Sequence, residues 1–208
     1  MHQNPTLARL HLDYTGLASE DPHRLNEDQA RSLQYFEAER TCSLDGREPR
    51  ERILRWVYTV QLVDVFAQAA GRLPRENNRL PKSDIDPFEQ RLADWIRYQR
   101  RPATQSLHCD YQRRRLECLH GFSWDPLGEQ WDSQLAKFAQ FVEELRRVPR
   151  YRADDVDERN LAAWVTRQRH FLRLGLLPAD RVSDLRKLGC GFGVHREGST
   201  SRRPSEGR

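Results

Sequence analysis

The stretch LADWIRYQRR, residues 92–101, decides the fold, because the chain spells it again as LAAWVTRQRH at residues 161–170. A Leu-Ala-x-Trp-aliphatic-x-x-Gln-Arg phrase repeated in one small chain marks an internal repeat, the feature to settle before any other. Working outward, Trp56 lies 18 residues before Pro74, and Trp131 lies 18 before Pro149. Leu116 and Leu119 on one side match Leu185 and Leu188 on the other, and Gly121-Phe122 and Gly191-Phe192 close the two copies. The first copy is longer between its Pro and its second Trp, within ENNRLPKSDID at 76–86, where an insertion belongs in a surface loop.

Periodicity assigns the elements. Trp56, Val60, Val63, Ala67 and Ala70 step by three or four, as do Trp131, Leu135, Phe138, Val142 and Leu145, which is one face of a first helix in each copy. Asp86-Pro87-Phe88-Glu89 opens the second helix: Asp86 caps, Pro87 fits the first turn, and Glu89 is placed to reach back to the cap amide. Leu92, Trp95, Ile96 and Gln99 line its inner face, like Leu161, Trp164, Val165 and Gln168. Third helices are expected from about 110 to 120 and from 178 to 188, each ending at a glycine. No sustained alternation signals a strand, and Asp45-Gly46 sits among charges as a turn.

The expected fold is therefore all-α: two tandem three-helix bundles, at 51–124 and 129–192. A partly helical N-terminal extension (1–50) precedes them and a disordered tail (193–208) follows. In the extension, Asn26 to Arg40 reads as a helix with Asn26 and Gln29 as a capping pair and Leu33 and Phe36 inward. The tail is polar and glycine-containing.

Hydrophobic residues make up 37% of the 208 and charged residues 32%, so the core must come from narrow apolar stripes anchored by five Trp and eight Phe. No run approaches a membrane span, and MHQNPTLARLHLDYTG has no apolar leader, so no membrane partner and a cytoplasmic location are expected. Cys42, Cys109, Cys118 and Cys190 lack CxxC spacing and read as reduced thiols.

Together these landmarks resemble the helicase-associated domain, a three-helix module of bacterial proteins. Its pattern has an opening Trp, a Val-Pro after the first helix, Leu-x-x-Trp-Val-x-x-Gln-Arg on the second, and a Leu-containing third helix running into Gly-Phe. The second copy carries Trp131, Val148-Pro149, Leu161, Trp164-Val165, Gln168-Arg169, Leu185 and Gly191-Phe192. The first carries Trp56, Leu73-Pro74, Leu92, Trp95-Ile96, Gln99-Arg100, Leu116 and Gly121-Phe122, and departs in its longer loop and in Arg113 where the second has Val182. The resemblance covers about residues 50–192 and implies a nucleic-acid-binding role.

Chemistry elsewhere is thin. None of the three lysines follows a glycine, so no P-loop holds a nucleotide, and HExxH and GxSxG are absent; no enzyme activity and no cofactor are expected. His108-Cys109 and Cys118-x-His120 lack paired zinc spacing, and the second copy has Pro178, Lys187 and Gly189 opposite Cys109, Cys118 and His120, so no metal is expected there. Asp154, Asp155, Asp157 and Glu158 read as helix-start caps, with a divalent-ion site as the alternative.

Residues 1–50 hold 6 basic and 9 acidic residues, whereas 51–208 hold 29 and 22. The excess gathers on helices two and three: 7 basic against 4 acidic over 88–122, and 7 against 3 over 158–192. The candidate nucleic-acid contacts are Arg97, Arg100, Arg101, Arg113 and Arg114 in the first copy, and Arg167, Arg169, Arg173, Arg181 and Arg186 in the second. A solvated surface with local ion pairs is the plainer reading of the same arginines. Three consecutive arginines, 113 to 115, span about 200° of helix, so one or two face a phosphate while another packs or pairs with Glu117. Gln99 and Gln168 read as buried and backbone-bonded, with adenine readout as the alternative. The four repeat Trp read as core, leaving Tyr98 and Tyr111 to stack on a base. The expected partner is a nucleic acid, DNA ahead of RNA, and a helicase or other protein partner is a further expectation. The alternative function is a protein-interaction scaffold, docking its partner on the acidic first 50 residues or the junction between repeats.

Overall fold

The computed structural model describes residues 5–75 and 86–188. The expected loop at 76–86 (apart from Asp86), the closing Gly189 and Gly191-Phe192, Cys190 and the tail at 193–208 lie outside the described residues. Every regular element among those described is helical. They are α1 (Pro5–Leu17), α2 (Glu27–Thr41), α3 (Arg52–Ala70), α4 (Pro87–Gln99), the short α5 (Pro102–Gln105), α6 (Asp110–Glu117), α7 (Pro126–Leu145), α8 (Val156–Arg173) and α9 (Ala179–Lys187), with one 3-10 turn, Pro22–Arg24, between α1 and α2. The chain divides into unit 1, residues 1–126, and unit 2, residues 127–208.

In unit 1, α3 buries Trp56, Val57, Val60, Val63 and Ala67, while Ala70 is exposed. Asp86 caps α4, accepting from the Phe88 N–H at 2.9 Å with Pro87 in the first turn, as expected. Leu92, Ala93, Ile96 and Gln99 face inward and Trp95 is half-buried. Residues 1–50 do more than precede this bundle. Asn26 and Gln29 form the expected capping box at 2.9 Å each, and α2 then buries Phe36 and Tyr35. Helix α1, which the sequence reading does not include, buries Leu10 and Tyr14. Its signal is present in the spacing Leu7, Leu10, Tyr14, Leu17. Both helices pack on α6, and α2 also packs on α3.

That cover explains a buried charge. Arg115 on α6 is 1% exposed, and donates to Glu39 of α2 at 2.8 Å and to Asp64 of α3 at 2.9 Å. Tyr111 donates to the other Glu39 oxygen at 2.7 Å. Burial pulls the Arg115 pKa down, but the two carboxylates outweigh it and the net shift is upward, so the cation stays charged.

Unit 2 is α7, α8 and α9. Trp131, Phe138, Leu161, Trp164, Val165 and Leu185 form its core, with Leu135 and Val142 partly buried and Leu145 exposed. Asp155 caps α8, accepting from the Asp157 and Glu158 N–H groups at 3.2 and 3.0 Å.

Four details stand at matching positions in the two units. The indoles of Trp56 and Trp95 lie 5.9 Å apart at 54°, and those of Trp131 and Trp164 lie 6.2 Å apart at 57°. Glu89, instead of reaching the α4 cap, grips Arg72 and accepts from the Arg75 N–H at 2.9 Å. Glu158 likewise grips Arg147 and accepts from the Arg150 N–H at 2.8 Å. The first helix ends in a left-handed residue in each, Gly71 at φ 65° and Arg146 at φ 51°. Only the glycine adopts this without strain.

Candidate nucleic-acid interface

The ten nominated arginines fall into different environments. Arg97 is exposed and paired with Asp94 at 2.7 Å, and Arg101 is exposed with its guanidinium 5.4 Å from the Tyr98 ring centre. Arg100 turns inward: its Nε donates to the Ser123 carbonyl at 2.7 Å and its guanidinium lies over the Phe122 ring. On α6, Arg113 is exposed and sits 3.8 Å from Asp110. Arg114 is bound to Asp13 of α1, lies 3.7 Å from Asp110, and has its pKa raised chiefly by the Asp13 hydrogen bond. Arg115, not Glu117's partner, is the one that packs inward; Glu117 accepts instead from the Trp124 indole at 2.8 Å. In unit 2, Arg167, Arg173 and Arg186 are exposed, Arg169 is half-buried, and Arg181 lies 4.9 Å from the Trp131 ring centre.

The structure adds a cleft to these single side chains. In unit 1 a cleft of about 380 Å³ lies against the Trp56–Trp95 pair, and in unit 2 one of about 660 Å³ lies against Trp131–Trp164. Matching positions line both: Tyr98 and Arg167, Gln99 and Gln168, Leu107 and Leu176, Gln112 and Arg181. Among the described residues, the cations of the unit 1 cleft are Arg31, Arg52, Arg55 and Arg91, facing the single carboxylate Glu48, which lies 3.8 Å from Arg55 and 4.0 Å from Arg91. In unit 2 they are Arg167 and Arg181, with no carboxylate in the lining among the described residues. Sequence reasoning missed the four of unit 1; Arg52 and Arg55, within a helical turn of Trp56, were its available signal.

The polar floor differs between the clefts. Gln99 is buried, yet its amide oxygen is taken by side chains rather than backbone: Trp56 Nε1 donates to it at 3.1 Å and His108 Nε2 lies at 2.9 Å. Trp Nε1 is a donor only, so the atom it meets is the oxygen, and His108 therefore carries its proton on Nε2. Burial holds the His108 pKa down at about 4, with Arg31 and Arg113 adding to the effect, so the ring is neutral at physiological pH. In unit 2, Leu177 takes the place of His108, and the buried Trp131 Nε1 has no hydrogen-bond partner among the described residues. Of the two tyrosines expected to be free for stacking, Tyr98 is 51% exposed; Tyr111 is fully buried under α1 and α2 and does not reach a ligand.

His108 is thus engaged by Gln99, while Cys109 and Cys118 are buried at opposite ends of α6. Among the described residues, no three His, Cys, Asp or Glu side chains are grouped to hold a metal ion. No described helix is long and apolar enough to cross a membrane.

Residues 128–193 match the family model of the helicase associated domain. Unit 2 carries a helicase-associated domain. No curated protein and no solved structure gives a significant match. The side chains named above for the cleft of this helicase-associated domain all fall inside the matched stretch, and so does the Arg147–Glu158 grip.

Proposed function

We propose that this chain is a non-catalytic nucleic-acid-binding accessory protein working beside a helicase, and that unit 1 is a second, diverged helicase-associated domain. The observation that carries the reading is the pair of matching clefts, each lined by arginines in excess of carboxylates, on a chain with a helicase-associated domain. Cations around a concave surface favour a polyanion, and phosphate contacts supply most of non-specific affinity. DNA stands ahead of RNA as the partner. Two modest sites on one chain strengthen each other through effective concentration, which gives a duplication its use.

The contacts are not the same in both units. Arg114 and Arg115 are spent on carboxylates inside unit 1, and Arg100 on Ser123, so unit 1 meets phosphate through Arg52, Arg91, Arg97 and Arg101. Unit 2 uses Arg167, Arg173 and Arg186, with Arg181 at the cleft.

The test is fluorescence anisotropy with labelled single strands and duplexes at low salt. The full chain binds at least one of them, and Arg167→Glu with Arg186→Glu weakens that binding without unfolding the protein. Absence of binding to every probe refutes the reading. A protein-interaction scaffold is the second reading, favoured by the exposed Leu107, Leu127 and Leu176 at the cleft rims. It predicts that the same two reversals leave capture of a helicase partner unchanged.

A further inference from the structure

We propose that the indole-floored cleft is a subsite for one unpaired base of a single strand, with Tyr98 in unit 1 and Arg167 in unit 2 as matching stacking platforms. The inference rests on the nucleic-acid reading and goes further by naming which part of the ligand enters and from which kind of strand. A duplex keeps its bases stacked and offers such a cleft only phosphates and groove edges, whereas a single strand can splay a base into it.

Tyr98 and Arg167 occupy one position on the second helix, both are exposed, and both carry the planar faces on which bases stack. Arg101 lies over one face of the Tyr98 ring and keeps a cation beside the platform.

The second, independent observation is at the floor of unit 2. Trp131 is only 7% exposed, and its indole N–H lacks the acceptor that Gln99 supplies to Trp56 in unit 1. A buried donor without a partner is costly, and a base carbonyl would satisfy it. Amide side chains of Gln130, Gln134 and Asn160 line the same cleft and suit the remaining edge of a base. Arg181 rests on the Trp131 ring; an arriving base displaces it and releases its guanidinium toward the adjoining phosphate.

The experiment compares three probes of equal length on the full chain: oligo-thymidine, the same sugar-phosphate strand without bases, and a blunt duplex. The thymidine strand binds about fivefold tighter or more than the abasic one, the scale expected for stacking one base. A double variant, Tyr98→Ala with Arg167→Lys, keeps the charge of unit 2 and brings the ratio of thymidine to abasic affinity down to about one. Equal binding of thymidine and abasic strands overturns the subsite while the nucleic-acid reading stands. A base preference that survives the double variant also overturns it, and binding of no probe removes both readings together.

Discussion

The third helices of the two units, α6 and α9, occupy matching positions and do opposite work. On α6, Tyr111 and Arg115 are fully buried beneath α1 and α2; on α9 the corresponding residues are Asp180, which is exposed, and Asp184, which pairs with Lys187 at 2.8 Å. Asp64, which meets Arg115, corresponds to Ala139. The third helix of unit 1 thus has an outer face that demands a cover, and that of unit 2 one that meets water. The difference assigns a role to the first 50 residues: they supply Glu39 for the Arg115 charge, Asp13 for Arg114, and the rings of Tyr14 and Phe36 against Tyr111. A buried cation with two carboxylates contributes little net stability relative to an apolar substitute, yet it is costly to break, so it fixes which helices pack together.

The contrast is sharpest in Arg115→Ala, which strands Glu39 and Asp64 in the core of unit 1. Urea denaturation should show a destabilisation of about 3–5 kcal/mol. Asp184→Ala, its counterpart, changes stability by no more than about 0.5 kcal/mol, as surface changes do. Equal costs would break the comparison.

A smaller effect comes from the ends of the first helices. Gly71→Ala forces a side chain into the left-handed region and costs about 1–2 kcal/mol, whereas Arg146→Gly relieves the same strain and stabilises unit 2 by about 1 kcal/mol. Thermal melts of the two variants should move in opposite directions.

The least effect is expected from the Arg–Glu grips, which are partly solvated. The Arg147 hydrogen bond holds the Glu158 carboxyl down at about 2, below its ordinary 4.5, and Arg72 lowers Glu89 in the same way. A depressed carboxylate adds stability that is present above the unfolded value and lost as the pH falls through the folded one. Unit 2 should therefore lose this contribution between about pH 4.5 and 2, and Arg147→Ala should flatten the stability profile across that window.

Much of this fold was legible in the sequence because large residues at helical spacing leave few choices: Trp56, Trp131, Trp164 and the capping Asp86, Asn26 and Asp155 are where spacing and chemistry put them. Helix α1 escaped although Pro5 stands at its first position, because its apolar stripe of Leu7, Leu10, Tyr14 and Leu17 is short and interrupted by polar residues. Partner choice escaped for a different reason. Glu89 and Glu158 look like first-turn acids, and only the returning chain brings Arg72 and Arg147 to them. Arg113, Arg114 and Arg115 are identical letters, and the burial of one depends on Glu39 and Asp64, 76 and 51 positions away. The clefts are also long-range products, each joining the first and second helices to the segment before the third.

The central claim is that exposed arginines of both units meet phosphate. Its most direct test is the dependence of single-strand affinity on salt, for the wild-type chain and for Arg167→Glu with Arg186→Glu. Log affinity should fall linearly with log salt, and the variant's slope should be shallower by about 0.7 for each phosphate that is no longer neutralised, or about 1.4 for the pair. A wild-type slope near zero, or one that the two reversals leave untouched, would contradict it.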